Sequence, residues 1–232
     1  MKKVDFWKLA VNSLFAGICI AFAACLFLYG MSISEQSALE RAVCSLLFGF
    51  GLYFVIVNEY KLFTGMVASL PEMKPRDWYT LVVAYLFNTV GALIVGVLFF
   101  AMGNAVSVAM VKYATTLTDT KLSNSLAGSF ISSVFCGMMI TFAVKSPQKA
   151  AVKGLSATLC VLFPVVLFVY LGLEHCIANQ VYIFLRLFVD CAVDAGRLLL
   201  FALLTAAGNV VGGIIVPLAE KWLGRRDEVT GE

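Results

Sequence analysis

The chain has 232 residues, 61% of them hydrophobic and only 13% charged, where soluble globular domains carry about a quarter charged. That balance excludes a water-solvated domain and points to a polytopic integral membrane protein. The net charge of +3 is spread over several loops rather than one surface, which argues against a nucleic-acid partner.

Six apolar runs follow one another, around 10–30, 42–57, 79–102, 126–144, 154–172 and 198–219. Each is near the roughly 20 residues a helix needs to cross about 30 Å of hydrocarbon. The first, after Met1, Lys2 and Lys3, is too long for a secretory signal and lacks a small-residue cleavage site, so it reads as span one. Six crossings put Lys2, Lys3, Lys8, Lys74, Arg76, Lys145, Lys149, Lys153, Lys221, Arg225 and Arg226 on the face of the termini. Only Arg41, Lys112, Lys121, Arg186 and Arg197 fall on the other. Short cytoplasmic loops hold the basic excess, so the expectation is a multi-pass protein of the cell (inner) membrane with both termini cytoplasmic. Seven cysteines scattered through apolar segments without a C-x-x-C pair speak against a disulfide framework or a zinc site, and no cofactor or metal is expected.

A repeat is visible. Asn88 to Val95 (NTVGALIV) in span three returns as Asn209 to Val216 (NVVGGIIV) in span six. Three crossings separate the copies, so the halves have opposite orientation in the bilayer, as in many transporters. The expectation is a single all-α transmembrane domain over 1–232, with one inverted three-helix repeat at about 8–103 and the other at about 122–223. Upstream of each copy an apolar segment is interrupted by polar residues, over Val57 to Gly65 (VNEYKLFTG) and over Gly172 to Asn179 (GLEHCIAN). Ionisable groups at that depth cost roughly 3 kcal/mol each and persist where they face a cavity or one another. The second and fifth helices should therefore be broken, each second half aiming a partly positive N-terminus at the centre, which favours an anion there.

His175 is the only histidine, and its place beside Glu174 at a break points to function rather than packing. Thr64 reads as a cap of the half-helix that follows it, as a pore residue, or as both. Asn88 and Asn209 read equally well as hydrogen-bonding partners between helices, with the nearby glycines permitting close approach. Phe48 and Leu52 lie four apart on one helix face. Arg186, Asp190, Asp194 and Arg197 read as surface ion pairs, or as an entrance or subunit contact.

With these residues in view, the chain resembles the formate/nitrite transporter family. Leu62, Phe63 and Thr64 match its first broken-helix signature; Glu174, His175, Ala178 and Asn179 match its second; Gly208, Asn209, Gly212 and Gly213 match its span-six motif. The resemblance implies a homopentamer of aquaporin-like protomers, each with its own pore, passing small anions and protons across the lipid bilayer. Formate is the first choice of substrate, with nitrite, hydrosulfide and short-chain carboxylates close behind. It implies a central pair of Thr64 and His175, with the histidine assisting proton-linked passage, a vestibule lysine at Lys121, and a pathway role for Asn209. It places hydrophobic constrictions at Phe48, Leu52, Leu62, Phe63 and Phe168. One position departs from the pattern: Lys61 stands where the family is ordinarily acidic, and either adds positive charge to the path or pairs with Glu59 or Glu174. Glu174 itself reads as an orienting partner of the backbone or of Lys61, or else as a proton carrier. The alternative class is a structural or regulatory membrane protein that transports nothing. An enzyme is not expected, since the nucleophile and metal motifs are missing.

Overall fold

The computed structural model describes residues 5–149, 151–190 and 194–230, with side chains up to Leu223. Nine α-helices are described: α1 Phe6–Ser32, α2 Ala38–Val57, α3 Phe63–Val67, α4 Tyr79–Met102, α5 Ala105–Ser123, α6 Leu126–Lys145, α7 Leu155–Tyr170, α8 Cys176–Val189 and α9 Ala195–Thr230. Their ends follow local chemistry. Asp5, Asn104 and Ser125 cap α1, α5 and α6 with side-chain oxygens, and Ser37 with Glu40 closes a reciprocal capping box on α2. Gly103, at φ 59°, ends α4 in the left-handed conformation.

Five helices (α1, α2, α4, α6 and α9) are long and apolar enough to cross a membrane, while α7 and α8 are apolar but shorter. Each polar interruption contains a non-helical stretch, residues 58–62 between α2 and α3 and residues 172–175 between α7 and α8. One element was not foreseen. The Thr-rich stretch 105–123 forms no apolar run, yet it folds as α5, which packs on α1 and α8. Its interior face is carried by Met110, Val111, Ala114 and Leu122 among polar neighbours, a pattern that hydropathy averaging hides.

Helix pairs close on glycine. On α1, a Cβ at Gly17 would collide with the Asn88 backbone of α4, and one at Gly91 with Leu14 and Ile18. The same pair of contacts recurs between α6 and α9: Gly137 lies on the Asn209 backbone, and Gly212 on Val134 and Met138. Where lipid is the solvent, helices associate through packing rather than hydrophobic exclusion, so backbone-to-backbone approach at small residues is what joins them.

Candidate functional site

The two interruptions repeat one another bond for bond. In the first, the amides of Asn58, Glu59 and Tyr60 donate to the carbonyls of Phe54, Ile56 and Val55; in the second, those of Leu171, Gly172 and Leu173 donate to Leu167, Val169 and Phe168. Each is a Schellman-type helix ending, with its left-handed residue at Glu59 (φ 55°) and at Gly172 (φ 70°). Beyond each ending an asparagine braces the open backbone. Asn88 donates to the carbonyls of Ser13 (2.6 Å) and Lys61 (3.1 Å) and accepts from the Phe63 amide (2.8 Å). Asn209 donates to Ser133 (2.8 Å) and Glu174 (2.9 Å) and accepts from the Cys176 amide (2.9 Å). Buried backbone groups left unpaired are costly, and the bonds to Lys61, Phe63, Glu174 and Cys176 are what let an extended segment pass through the interior. Asn209 is thus placed as a brace behind the break, with its polar atoms engaged by protein.

The braces bring His175 and Thr64 together. Both are buried, and Thr64 Oγ1 stands 3.2 Å from His175 Nε2. Thr64 does not cap its half-helix: the N-cap of α3 is Leu62, which makes no side-chain cap bond. In the second half His175 is itself the cap, its Nδ1 accepting from the Ala178 amide at 3.1 Å. An acceptor at Nδ1 assigns the neutral tautomer with its proton on Nε2, aimed at Thr64. The threonine oxygen then accepts from the ring and keeps its own hydrogen to give. Phe168 stacks on the imidazole (centroids 5.6 Å apart) and Phe48 meets Phe168 edge-on at 5.9 Å. Together these aromatic rings wall a cavity of about 70 Å³ that reaches His175.

That narrow cavity adjoins a wider one of about 790 Å³ between α2, α5 and the second break, the two sharing Arg41, Tyr113, Leu117, Lys121 and Gly172 in their walls. Lys121 stands where the two meet, 8% exposed, with Nζ 2.6 Å from Glu174 Oε2 and 3.4 Å from the Gly172 carbonyl. Glu174 is 2% exposed and also accepts from Asn179 Nδ2 at 2.9 Å. Glu174 therefore pairs with Lys121, not with Lys61, which corrects one expected pairing. Glu59 does not pair with Lys61 either: Lys61 is exposed, and among the described residues no carboxylate is within ion-pair distance of it. It lines a separate cavity of about 440 Å³ with Leu52, Leu62, Gly65 and Glu59, beyond the first break. Phe63 faces elsewhere, buried against Tyr85 at 5.1 Å. Of the expected ionic cluster near the end of α8, Arg186 bonds Asp119 of α5 at 3.0 Å, and Arg197 donates to the Leu122 carbonyl. Cys191 lies outside the described residues.

The profile described as "Formate/nitrite transporter" matches residues 1–223. The chain belongs to the formate/nitrite transporter family. It is a membrane transport protein rather than an enzyme. Among curated relatives it is 28% identical to a probable formate transporter of Methanothermobacter thermautotrophicus, over 95% of this chain and 90% of that protein. It is 26% identical to the formate channel FocA of Haemophilus influenzae, over 73% of this chain and 63% of that protein. Among solved structures it superposes on a pentameric formate channel with formate bound at a TM-score of 0.79, with 19% identity over 94% of this chain and 96% of that one. A second, an FNT family ion channel, gives 0.81 with 20% identity over 94% and 90%. These likenesses establish the fold as that of formate/nitrite transporter channels.

Two residues at the site went unassigned in the sequence. Arg41 and Tyr113 line both the narrow and the wide cavity. Arg41, at the start of the second apolar run, counted only toward orientation, and Tyr113 sits in the helix that hydropathy missed.

Proposed function

We propose that this family member is a channel for small monovalent anions, formate first, in which each protomer carries one pathway through the Thr64–His175 pair. The observation that carries the reading is that pair: two buried polar groups from two different interruptions, in hydrogen-bond contact, with an aromatic-walled cavity and a cation-lined vestibule on one side and a second cavity on the other. The names of the relatives and the bound formate of the structural neighbour support formate over nitrite or hydrosulfide. The α2–α3 and α7–α8 pairs are each read as one broken crossing, giving six crossings, two inverted repeats, and both termini in the cytoplasm. The pentamer follows by likeness to the neighbour that is one.

In this reading an anion in the narrow cavity meets the Thr64 hydroxyl and the His175 Nε2–H. A proton arriving through water is shared between the anion and this donor pair, so that the species passing Leu52 and Leu62 is the neutral acid. Moving a bare charge through low dielectric is far more costly than moving its conjugate acid. Lys121, neutralised by Glu174, holds the second break in shape; Lys61 supplies a fixed positive charge to the cavity on the other side.

The test is uptake of labelled formate, nitrite and hydrosulfide into proteoliposomes across external pH 5 to 8, wild type against His175→Phe. Flux that rises on acidification and collapses in the variant is expected. Wild-type vesicles impermeable to all three anions would return the chain to the non-transporting class, and unchanged, equally pH-dependent flux in the variant would remove His175 from the mechanism.

A further inference from the structure

Resting on the anion-channel reading, we propose that Arg41 is the residue that selects the anion between vestibule and narrow cavity, and that it favours planar two-oxygen anions over single-atom acceptors. Among the described residues, Arg41 and Lys121 are the cations that line both cavities, and Lys112 lines the wide one alone. The charge of Lys121 is taken up by Glu174 at 2.6 Å. Arg41 has no such partner: among the described residues no carboxylate pairs with it, and its one side-chain bond runs from Nε to the Tyr170 carbonyl at 2.8 Å. The net positive charge at the mouth of the narrow cavity is therefore the guanidinium.

Its geometry is that of a recognition group and not merely a diffuse charge. The Nε bond to the last residue of α7 fixes the guanidinium plane, while among the described residues neither terminal nitrogen is bonded to protein. Gly172 keeps the space beneath them open, since a Cβ there would come 3.2 Å from Nη2. A guanidinium so held presents two parallel N–H groups, a fork that matches two oxygens of a carboxylate or of nitrite at once. A hydrosulfide or chloride ion has one acceptor atom and takes from the fork little more than its charge. The selecting step is binding alone, and the proton chemistry stays with His175 and Thr64.

The experiment is paired flux of formate and hydrosulfide in the same proteoliposome preparations, with wild type, Arg41→Lys, Arg41→Gln and Lys112→Gln. The readout is the ratio of the two half-saturating concentrations, which does not depend on the fraction of protein that folds. Arg41→Lys keeps the charge and loses the fork, so the formate value should rise about tenfold while the hydrosulfide value moves less than about twofold. Arg41→Gln should raise both, and Lys112→Gln should leave the ratio unchanged. A ratio unchanged in Arg41→Lys overturns the proposal. So does loss of both fluxes in that variant, which would assign Arg41 to holding the end of α7. Absence of flux in the wild type would instead sink the channel reading on which the proposal stands.

Discussion

Replacing Lys121 by methionine would separate a structural lysine from an anion-attracting one. The Lys121–Glu174 side chains are 10% and 2% exposed and bonded at 2.6 Å, so removing the cation leaves an uncompensated carboxylate in the interior, a change that costs about 3–5 kcal/mol. For a chain of this size that corresponds to a fall in melting temperature of about 10 °C. The stranded charge also repels the transported anion: at a separation of roughly 8 Å and an effective dielectric near 20, the repulsion is about 2 kcal/mol, or about 30-fold in flux. In the double variant Lys121→Met, Glu174→Gln the charge is gone, the amide oxygen can still accept from Asn179, and the vestibule retains Arg41 and Lys112. Thermal unfolding in detergent and formate flux in liposomes should both recover, to within about 1 kcal/mol and a few-fold of wild type. A double variant that regains its melting temperature but stays as silent as the single one would show that the lysine charge itself draws the anion, and the reasoning fails. A single variant as stable and as active as wild type would show that the pair is not desolvated.

Three further outcomes follow from the same geometry. His175→Asn keeps a side-chain acceptor at the N-cap of α8 while His175→Phe does not, so the asparagine variant should be about 1 kcal/mol more stable and melt higher, although both lose flux; equal melting would remove the capping role. Asn88→Ala and Asn209→Ala each orphan one buried amide and one carbonyl of a non-helical stretch, and each should destabilise the protein by about 3 kcal/mol; a melting shift in only one of the two would break the equivalence of the interruptions. Lys61→Glu should lower formate flux driven from the side of the termini by several-fold and be relieved by high salt, and salt-independent flux equal to wild type would mean that Lys61 does not face the path.

Local chemistry made much of this legible. Apolar length announced α1, α4, α6 and α9, and the misplaced polar groups at Asn58, Glu59, Lys61, Glu174 and His175 marked both interruptions, because polar groups in apolar segments have few stable alternatives to a shared interior. Asn88 and Asn209 drew notice as a repeat, but whether they faced a path or a backbone was open until the carbonyls they serve were located. Helix α5 stayed hidden because its polar residues outweigh its narrow apolar face in any average along the chain.

What the sequence by itself determined was the solvent, the class of fold and the positions of the polar interruptions, since each depends on composition within a few turns of helix. Partners were decided only by the tertiary structure: Glu174 with Lys121 across 53 residues rather than with Lys61, Thr64 with His175 across 111, and Arg41 with the end of α7 across 129. A charge in sequence is a candidate for every opposite charge. The close glycine contacts between α1 and α4 and between α6 and α9, with the two asparagine braces, fix where each break lies in space, and so which charge is within reach.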